Sequence, residues 1–520
     1  MVDAVHYDDL PMHWVGDWAG RRAAMTPRRV AIFDSGSGER FTYAEMNERA
    51  NRVGTWLRDK IGLEKGDKIC FIARNRVEPV DLYLAAGKCG FILAPLSYRL
   101  TKRELDDLLA RIEPQAVFYE DVFAELAESL DYPVSVRERV LIGDGAGRYQ
   151  DEILATEPEN VNRPLALNDT FLYIHTGGTT ATPKVCVVPH RQMLWNSFDL
   201  VIASGGALGE ARELLTFPLF HIGGWNTLTP AYHSGGFTVL VRQFDPGLVL
   251  QLIETEQVTH FGAVEAMLQF IVRHPRFADT DLGSLQGITS AGAPCSAVAM
   301  RPFWERGVPV TQAYGLTEAG PSNFTHVGID KSMDEIWEHN GSIGTPFFHC
   351  DYKIIDPQSK EVLPQGEVGV LCMRSPHNFE EYLKQPDRTD KVFLDDGWVY
   401  SGDLAREDEQ GYVYIVGRAD NMFVSGGENV SPEEIEDVVG MHQDVAHVAV
   451  VAVPDAKWGQ VPVAIVVPKA GATIDADALT KHCKQNLAGF KVPKRFEVVT
   501  EIPMTGAGKI DRNRLQEHYS

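Results

Sequence analysis

FLYIHTGGTTATPKVCVVPH, residues 171–190, is the stretch on which the reading of the fold turns. Its apolar start reads as a buried strand. The strand ends in Thr176-Gly177-Gly178-Thr179-Thr180-Ala181-Thr182-Pro183-Lys184. Small and hydroxylated residues let backbone N–H groups and hydroxyls approach a polyphosphate closely, and the lysine adds a positive charge. The loop is not a Walker motif, which needs Gly directly before Lys and Ser or Thr after it. Here Lys184 stands between Pro183 and Val185. Read alone, a surface turn of small residues fits as well as a phosphate loop.

Outward from this strand, the same alternation recurs. Residues 42–58, TYAEMNERANRVGTWLR, space apolar side chains as an amphipathic helix does. GDKICFIARN reads as a strand after a Gly-Asp turn, 79–90 as a helix, and 168–175, 236–241, 258–263 and 285–290 as further strands near helical patterns. Alternating strands and helices imply parallel, helix-covered sheets. After about residue 340 the texture changes. VGVLCMR, WVYSG and YVYIVGR are short strands set between Gly-containing turns, the mark of a smaller β-rich lobe at about 340–418. Beyond Arg418 comes a compact βα pattern: Ser431-Pro432-Glu433-Glu434 predicts a capped helix start with a capping box, VAHVAVVAVP and VPVAIVVP predict strands, and 476–488 a helix. The expected fold class is α/β. A large multi-lobed body over 1–419, with two parallel-type sheets and the β-rich lobe, is followed by a small mobile α+β domain over 420–520.

Bulk properties bound the function. The 520 residues exceed one ordinary core. A formal charge of −23, from 49 basic and 72 acidic residues, disfavours nucleic acid as a partner, since no concentrated basic face is present. The seven cysteines are scattered without CxxC spacing, which argues for a reducing compartment rather than disulfides or zinc. The start, MVDAVHYDDLPMHW, does not read as a signal peptide, and the longest apolar run, Val448–Val453, is far short of the ~20 residues a membrane helix needs. The expected location is cytoplasmic.

Three more segments carry chemistry. In TQAYGLTEAGPS, residues 311–322, a Gly between Tyr314 and a Thr-Glu pair suits a turn that offers a hydroxyl and a carboxylate to a phosphate–Mg²⁺ unit; a helix capped by Thr317 is the plainer alternative. In WVYSGDLAREDEQGYVYIVGRADNMFVSGGE, residues 398–428, Asp403 suits two ribose hydroxyls and Arg418 a phosphate or the ribose. In IPMTGAGKIDRNRL, Lys509 follows a glycine-rich loop with the charge to meet a reacting oxyanion.

The order and spacing of these segments resemble the adenylate-forming superfamily, which includes acyl-CoA synthetases, nonribosomal adenylation domains and firefly luciferase. The resemblance runs from PLSYRLTKREL at 95–105 to Lys509. It implies that Thr176, Gly177, Gly178, Thr179, Thr180 and Lys184 hold the ATP phosphates, and that Gly292, Ala293 and Pro294 border the adenine with Tyr314 and Gly315. It implies that Thr317 binds the α-phosphate, Glu318 holds Mg²⁺, Asp403 and Arg418 take the ribose, and Lys509 bridges carboxylate and α-phosphate. His221, in PLFHIGG, matches a histidine that contacts the carboxylate or gates the acyl tunnel. Trp225, Val264, Ala291 and Gly315 match acyl-pocket positions and, being apolar or small, imply an apolar acid. Domain alternation in the family places the hinge at Asp420 and brings the SGGEN loop, with Ser425, Gly426, Gly427 and Glu428, to a coenzyme A arm. The implied cofactors are ATP, Mg²⁺ and coenzyme A. The implied reaction turns a medium- or long-chain fatty or aryl acid into its CoA thioester, with AMP and pyrophosphate. Dimers are frequent in such families, which keeps a homodimer open.

The sequence departs from the pattern at Ala181, where Gly is usual, and at Val185, where Gly or Ala usually follows the lysine. Alanine enters a positive-φ conformation only at a cost, so a shifted loop with weakened turnover is one expectation. Glu265 replaces a common Pro and Gln460 a common Glu. Two alternatives stand beside the ligase reading. An amino-acid-adenylating domain feeding a carrier protein would place an Asp in GGWNTLTP, at 223–230, and none is there. An impaired relative that only binds nucleotide or acyl-CoA would be expected to have lost Lys184, Thr317, Glu318, Asp403, Arg418 or Lys509, and all are present.

Overall fold

A computed structural model describes residues 6–145, 147–176, 183–326, 331–425, 428–455, 458–504 and 510–519. They form two compact units, Met1–Tyr352 with Met373–Val399, and Lys353–Cys372 with Tyr400–Ser520. Compactness therefore groups residues differently from a division at 419/420: the strand-rich segments before Asp420 pack with the C-terminal residues.

The first unit contains the two expected sheets. One runs in the order Glu381–Tyr382, Lys184–Pro189, Thr170–Thr176, Ile92–Pro95, Lys68–Ile72, Ala116–Glu120, Glu138–Ile142. Its strands are parallel from Thr170–Thr176 onward, and the two before it are antiparallel. The other runs Val310–Gln312, Gly287–Ser290, His260–Ala263, Arg212–Leu215, Phe237–Leu240, Val30–Asp34, Glu39–Thr42, parallel except for its last pair.

One buried cluster joins the sheets, with Ile69, Phe71 and Leu172 from the first, Ile32, Leu215 and Leu240 from the second, and helices between them. Helix Val77–Cys89 is buried at every residue. A helix enclosed on all sides must neutralise its charges. Glu78 pairs with Arg76 at 2.6 Å, Asp81 with Arg49 at 2.7 Å and Lys88 with Asp17 at 3.1 Å. Helix Tyr43–Trp56 opens with a capping box at Thr42.

The second unit holds a sheet of order Asp351–Ile355, Gly369–Arg374, Val399–Glu407, Val413–Arg418, whose first three strands each begin or end in the first unit's residues. It also holds a sheet built on the long antiparallel pair Val445–Asp455 and Gly459–Pro468. Helix Pro432–Gly440 starts where Ser431-Pro432 predicts, but without the capping box. Ser431 Oγ is instead taken up by the Val416 carbonyl at 2.9 Å and Glu433 Oε2 at 2.8 Å. Glu434, the residue the box would use, pairs with Lys491 at 2.6 Å. A tertiary acceptor has outcompeted the local cap.

Burial also sets a pH limit on this fold. His190 is stacked on Phe171 at 4.3 Å and pushed down to about 3 by burial; burial likewise takes His175 to about 4. Both rings are neutral when folded, so between their ordinary value near 6.5 and about 4 the unfolded chain binds protons that the folded chain refuses. Stability is full above that window and falls as pH drops through it, by about 1.4 kcal/mol per pH unit for each ring. Thermal unfolding followed from neutral pH to about pH 5 should show the midpoint falling, with the slope reduced by about one proton in His190→Leu. An unchanged slope in that variant would show that His190 does not carry the effect.

Candidate active site

The glycine-rich loop connects two strands whose ends are aligned: Thr176 and Lys184 are register partners in the antiparallel pair. Gly177, Gly178, Thr179, Thr180 and Ala181 lie outside the described residues. Lys184 Nζ donates to Tyr382 Oη at 3.5 Å and sits 4.8 Å from the centre of that ring. Tyr382 Oη in turn donates to Glu318 Oε1 at 2.6 Å. The predicted phosphate lysine and the predicted metal carboxylate are thus brought together by a tyrosine that sequence reasoning passed over. NFEEYLKQPD has no periodicity or motif that singles out Tyr382.

Thr317 and Glu318 form the turn between strands Tyr314–Leu316 and Gly320–Thr325, so the segment is a hairpin and not a helix capped by Thr317. The hairpin is closed too tightly for side chains at two points. A Cβ on Gly315 would lie 2.4 Å from the Pro321 backbone, and Gly320, at φ +103°, would place one 2.3 Å from His377. Backbone acceptors fix the turn: the Thr317 carbonyl takes Gln192 Nε2 at 2.7 Å, and the Glu318 carbonyl takes the Phe379 N–H at 3.0 Å.

The predicted adenine and acyl positions gather at the carboxyl ends of the second sheet's parallel strands, where ligands of open α/β sheets bind. Ala291 N–H bonds the Ala263 carbonyl at 3.2 Å, and Ala313 N–H bonds that of Ser290 at 2.9 Å. These links set Val264, Ala291 and the Tyr314–Gly315 strand side by side. Gly292, at φ +87°, turns the chain outward, and Gly292, Ala293 and Pro294 are exposed. Glu265 now has a structural account: Oε1 accepts from Ser296 Oγ at 2.6 Å and Gln269 Nε2 at 3.0 Å, tying its helix to the end of this loop.

His221 caps helix Ile222–Ser234, its Nδ1 accepting from the Gly223 N–H at 3.1 Å. That bond leaves Nε2 as the protonated nitrogen of the neutral ring. Trp225, which the resemblance assigns to the acyl pocket, lies on the buried face of this helix. Its side chain is 0% exposed and stacked on Tyr83 at 4.3 Å. Ile222, Trp225, Leu228 and Tyr232 form the helix face that enters the shared core, so this tryptophan packs the body.

In the second unit Asp403 and Arg418 face each other across paired strands, with Arg418 Nη1 at 2.7 Å from Asp403 Oδ1. Arg418 also reaches the Ser401 carbonyl at 3.2 Å and Asp420 Oδ2 at 3.2 Å. The arginine is a counter-ion shared by the two carboxylates. Ser425 is buried on strand Phe423–Ser425. Gly426, Gly427 and Lys509 lie outside the described residues, as does the side chain of Glu428. Among the described residues no cluster suited to hold a metal through three or more His, Cys, Asp or Glu side chains is found. No helix among them is long and apolar enough to cross a membrane.

Two helix-covered sheets presenting loops at their strand ends, with a lysine at the end of the Thr170–Thr176/Lys184–Pro189 strand pair joined to a carboxylate, define an α/β enzyme built around a small-molecule site. Comparison with known proteins makes this specific. The AMP-binding enzyme model matches residues 20–383, and the AMP-binding enzyme C-terminal domain model matches 434–509. The chain belongs to the AMP-binding enzyme family. A feruloyl-CoA synthase from Amycolatopsis sp is 34% identical over 510 residues, spanning 97% of this chain and 99% of the relative. The long-chain-fatty-acid–CoA ligase FadD13 of Mycobacterium tuberculosis is 29% identical, spanning 97% and 98%. The ATP-bound structure of MatB from Rhodopseudomonas palustris superposes with a TM-score of 0.88 at 28% identity, covering 97% of this chain and 99% of that one. The chain is thus an ATP-dependent acyl-CoA synthetase of the adenylate-forming kind.

Proposed function

We propose that the acid is aryl, and that the chain converts it to its CoA thioester through an acyl-adenylate. One carboxylate oxygen of the acid attacks the α-phosphorus of ATP and pyrophosphate leaves; the thiol of CoA then attacks the acyl carbonyl and AMP leaves. The observation that carries the first step is the Lys184–Tyr382–Glu318 chain. It sets a cation and a carboxylate on one hydroxyl at the end of the Thr170–Thr176/Lys184–Pro189 strand pair, the charge pattern that a metal-bound triphosphate needs.

In this reading Thr176 and Lys184, with Gly177, Gly178, Thr179 and Thr180, hold the β- and γ-phosphates. Thr317 holds the α-phosphate, and Tyr314, Gly292, Ala293 and Pro294 border the adenine. Glu318 suits Mg²⁺, a hard cation that prefers oxygen ligands and spreads the charge of the triphosphate when bound. Asp403 takes the ribose hydroxyls, held in place by Arg418. His221 presents an N–H toward the acid, and Val264, Ala291 and Gly315 border the acyl group. Lys509 offsets the charge of two anions forced together. Asp420 is the hinge between the half-reactions, and Ser425, Gly426, Gly427 and Glu428 meet CoA. The cysteines, all buried and unpaired, support a reducing, cytoplasmic setting.

Support for an aryl acid comes from the relative at 34% identity, whose name gives ferulate, against 29% for the fatty-acid ligase. A panel of ferulate, coumarate, indoleacetate, benzoate, octanoate and palmitate, scored for CoA-dependent AMP formation, tests it. An aryl acid should lead in kcat/KM by about tenfold or more, a difference of ~1.4 kcal/mol in transition-state binding. Palmitate or octanoate leading would move the assignment to fatty acids.

A further inference from the structure

We propose that Tyr382 is a positioning residue for adenylation, whose hydroxyl sets the separation between the lysine of the phosphate loop and the carboxylate of the hairpin. The inference rests on the proposed roles of Lys184 and Glu318.

Tyr382 is held from several sides. It is 2% exposed, its strand pairs with Lys184–Pro189 in the register Tyr382↔Cys186, and its N–H bonds Thr389 Oγ1 at 3.0 Å. Its ring packs edge-on against Phe379 at 5.0 Å. The segment leading to it is fastened by Arg191, which meets Glu380 Oε1 at 2.6 Å and the Pro376 carbonyl at 2.5 Å. Phe379 in turn bonds the Glu318 carbonyl. The phenol therefore cannot drift from the carboxylate it serves.

Its chemistry fits the same role. A neutral phenol both donates and accepts. Here it donates to Glu318 Oε1 at 2.6 Å and accepts from Lys184 Nζ at 3.5 Å. An ammonium and a carboxylate this close to a common partner attract each other, and direct pairing would occupy the groups that a metal-bound triphosphate requires. The interposed hydroxyl orients both charges while keeping them apart. A purely structural tyrosine would need only the ring.

Tyr382→Phe keeps the ring and removes the bridge. Pyrophosphate release measured against free Mg²⁺ should show half-saturation rising about tenfold or more, with KM for MgATP rising alongside and KM for the acid unchanged within about twofold. The thermal midpoint should stay near that of the parent chain. Glu318→Gln, measured in parallel, separates two kinds of failure. If Glu318→Gln leaves the Mg²⁺ dependence unchanged, the metal role of Glu318 falls, and this inference with it. If Glu318→Gln shifts it and Tyr382→Phe does not, the positioning role alone is wrong. The double variant closes the cycle: a shift no larger than the greater single shift is expected of two groups acting as one unit, and additive shifts would overturn the proposal. Should Tyr382→Phe fail to fold, the ring environment and not the hydroxyl bridge is what the residue supplies, and the proposal fails.

Discussion

Lys509→Ala will lower acid-dependent pyrophosphate release by about 10²–10³-fold, the range found when one preorganised donor to a developing oxyanion is removed. The reason is electrostatic. Adenylation drives a carboxylate against an α-phosphate, and the repulsion must be met by positive charge placed at the point of bond formation. The formal charge of this chain is −23, so no diffuse positive field can substitute for a placed lysine. The second half-reaction makes no such demand, because the attacking thiol meets a carbonyl already activated by its phosphate leaving group. Synthetic acyl-adenylate supplied with CoA should therefore be consumed by Lys509→Ala within a fewfold of the parent rate. If both half-reactions fall together, the variant has damaged the fold or the lysine serves both steps. If neither falls, Lys509 does not touch the reacting oxygens. ATP binding with no turnover across a broad acid panel in the parent chain would instead favour the impaired relative that Ala181 and Val185 bring to mind.

The fold was legible where local pattern and tertiary demand agree. The strands at 170–176, 237–240, 260–263 and 287–290 appear where apolar runs alternate with helical spacing, because a parallel strand buried on both faces needs such a run. The site was legible only as types of residue. Thr317-Glu318 reads equally as a helix start or a turn; what decides for the hairpin is the closeness of Gly315 to Pro321 and of Gly320 to His377, contacts made outside the local sequence. Trp225 shows the same limit. Its place in a motif implies a pocket wall, and its stacking on Tyr83, from a helix far earlier in the chain, has no local mark. Ser431 satisfies every local requirement of a capping box and is drawn off by the Val416 carbonyl. Tyr382 carries no local mark at all, since its significance comes from the two charged groups that folding brings to its hydroxyl.

Asp420→Pro should separate the two half-reactions, sparing adenylation and reducing thioester formation by about ten- to hundredfold. The residue sits in a turn in which the Arg418 carbonyl accepts the N–H groups of Asn421 and Met422, both at 3.1 Å. On either side the chain is fixed. Arg418 is paired with Asp403, and Asn421 Nδ2 bonds Glu433 Oε1 at 2.6 Å on the first helix turn beyond. With Asp420 as the proposed hinge, a change of pose draws on the dihedrals of Ala419 and Asp420, as expected of a hinge confined to a few loop positions. Proline at 420 locks one of those dihedrals and disfavours the right-handed helical region at Ala419. Holding a residue in a disfavoured region costs about 1–3 kcal/mol, hence the expected factor. The two rates are read separately, as pyrophosphate release with acid and ATP and as thioester formation from supplied acyl-adenylate. Asp420→Ala, which removes the ion pair with Arg418 but leaves the dihedrals free, should change neither by more than a fewfold. If the proline variant lost both steps by the same factor while remaining folded, the pivot would lie elsewhere; if it lost adenylation and kept thioester formation, the turn would still be the hinge, but the pose it favours would be the other one.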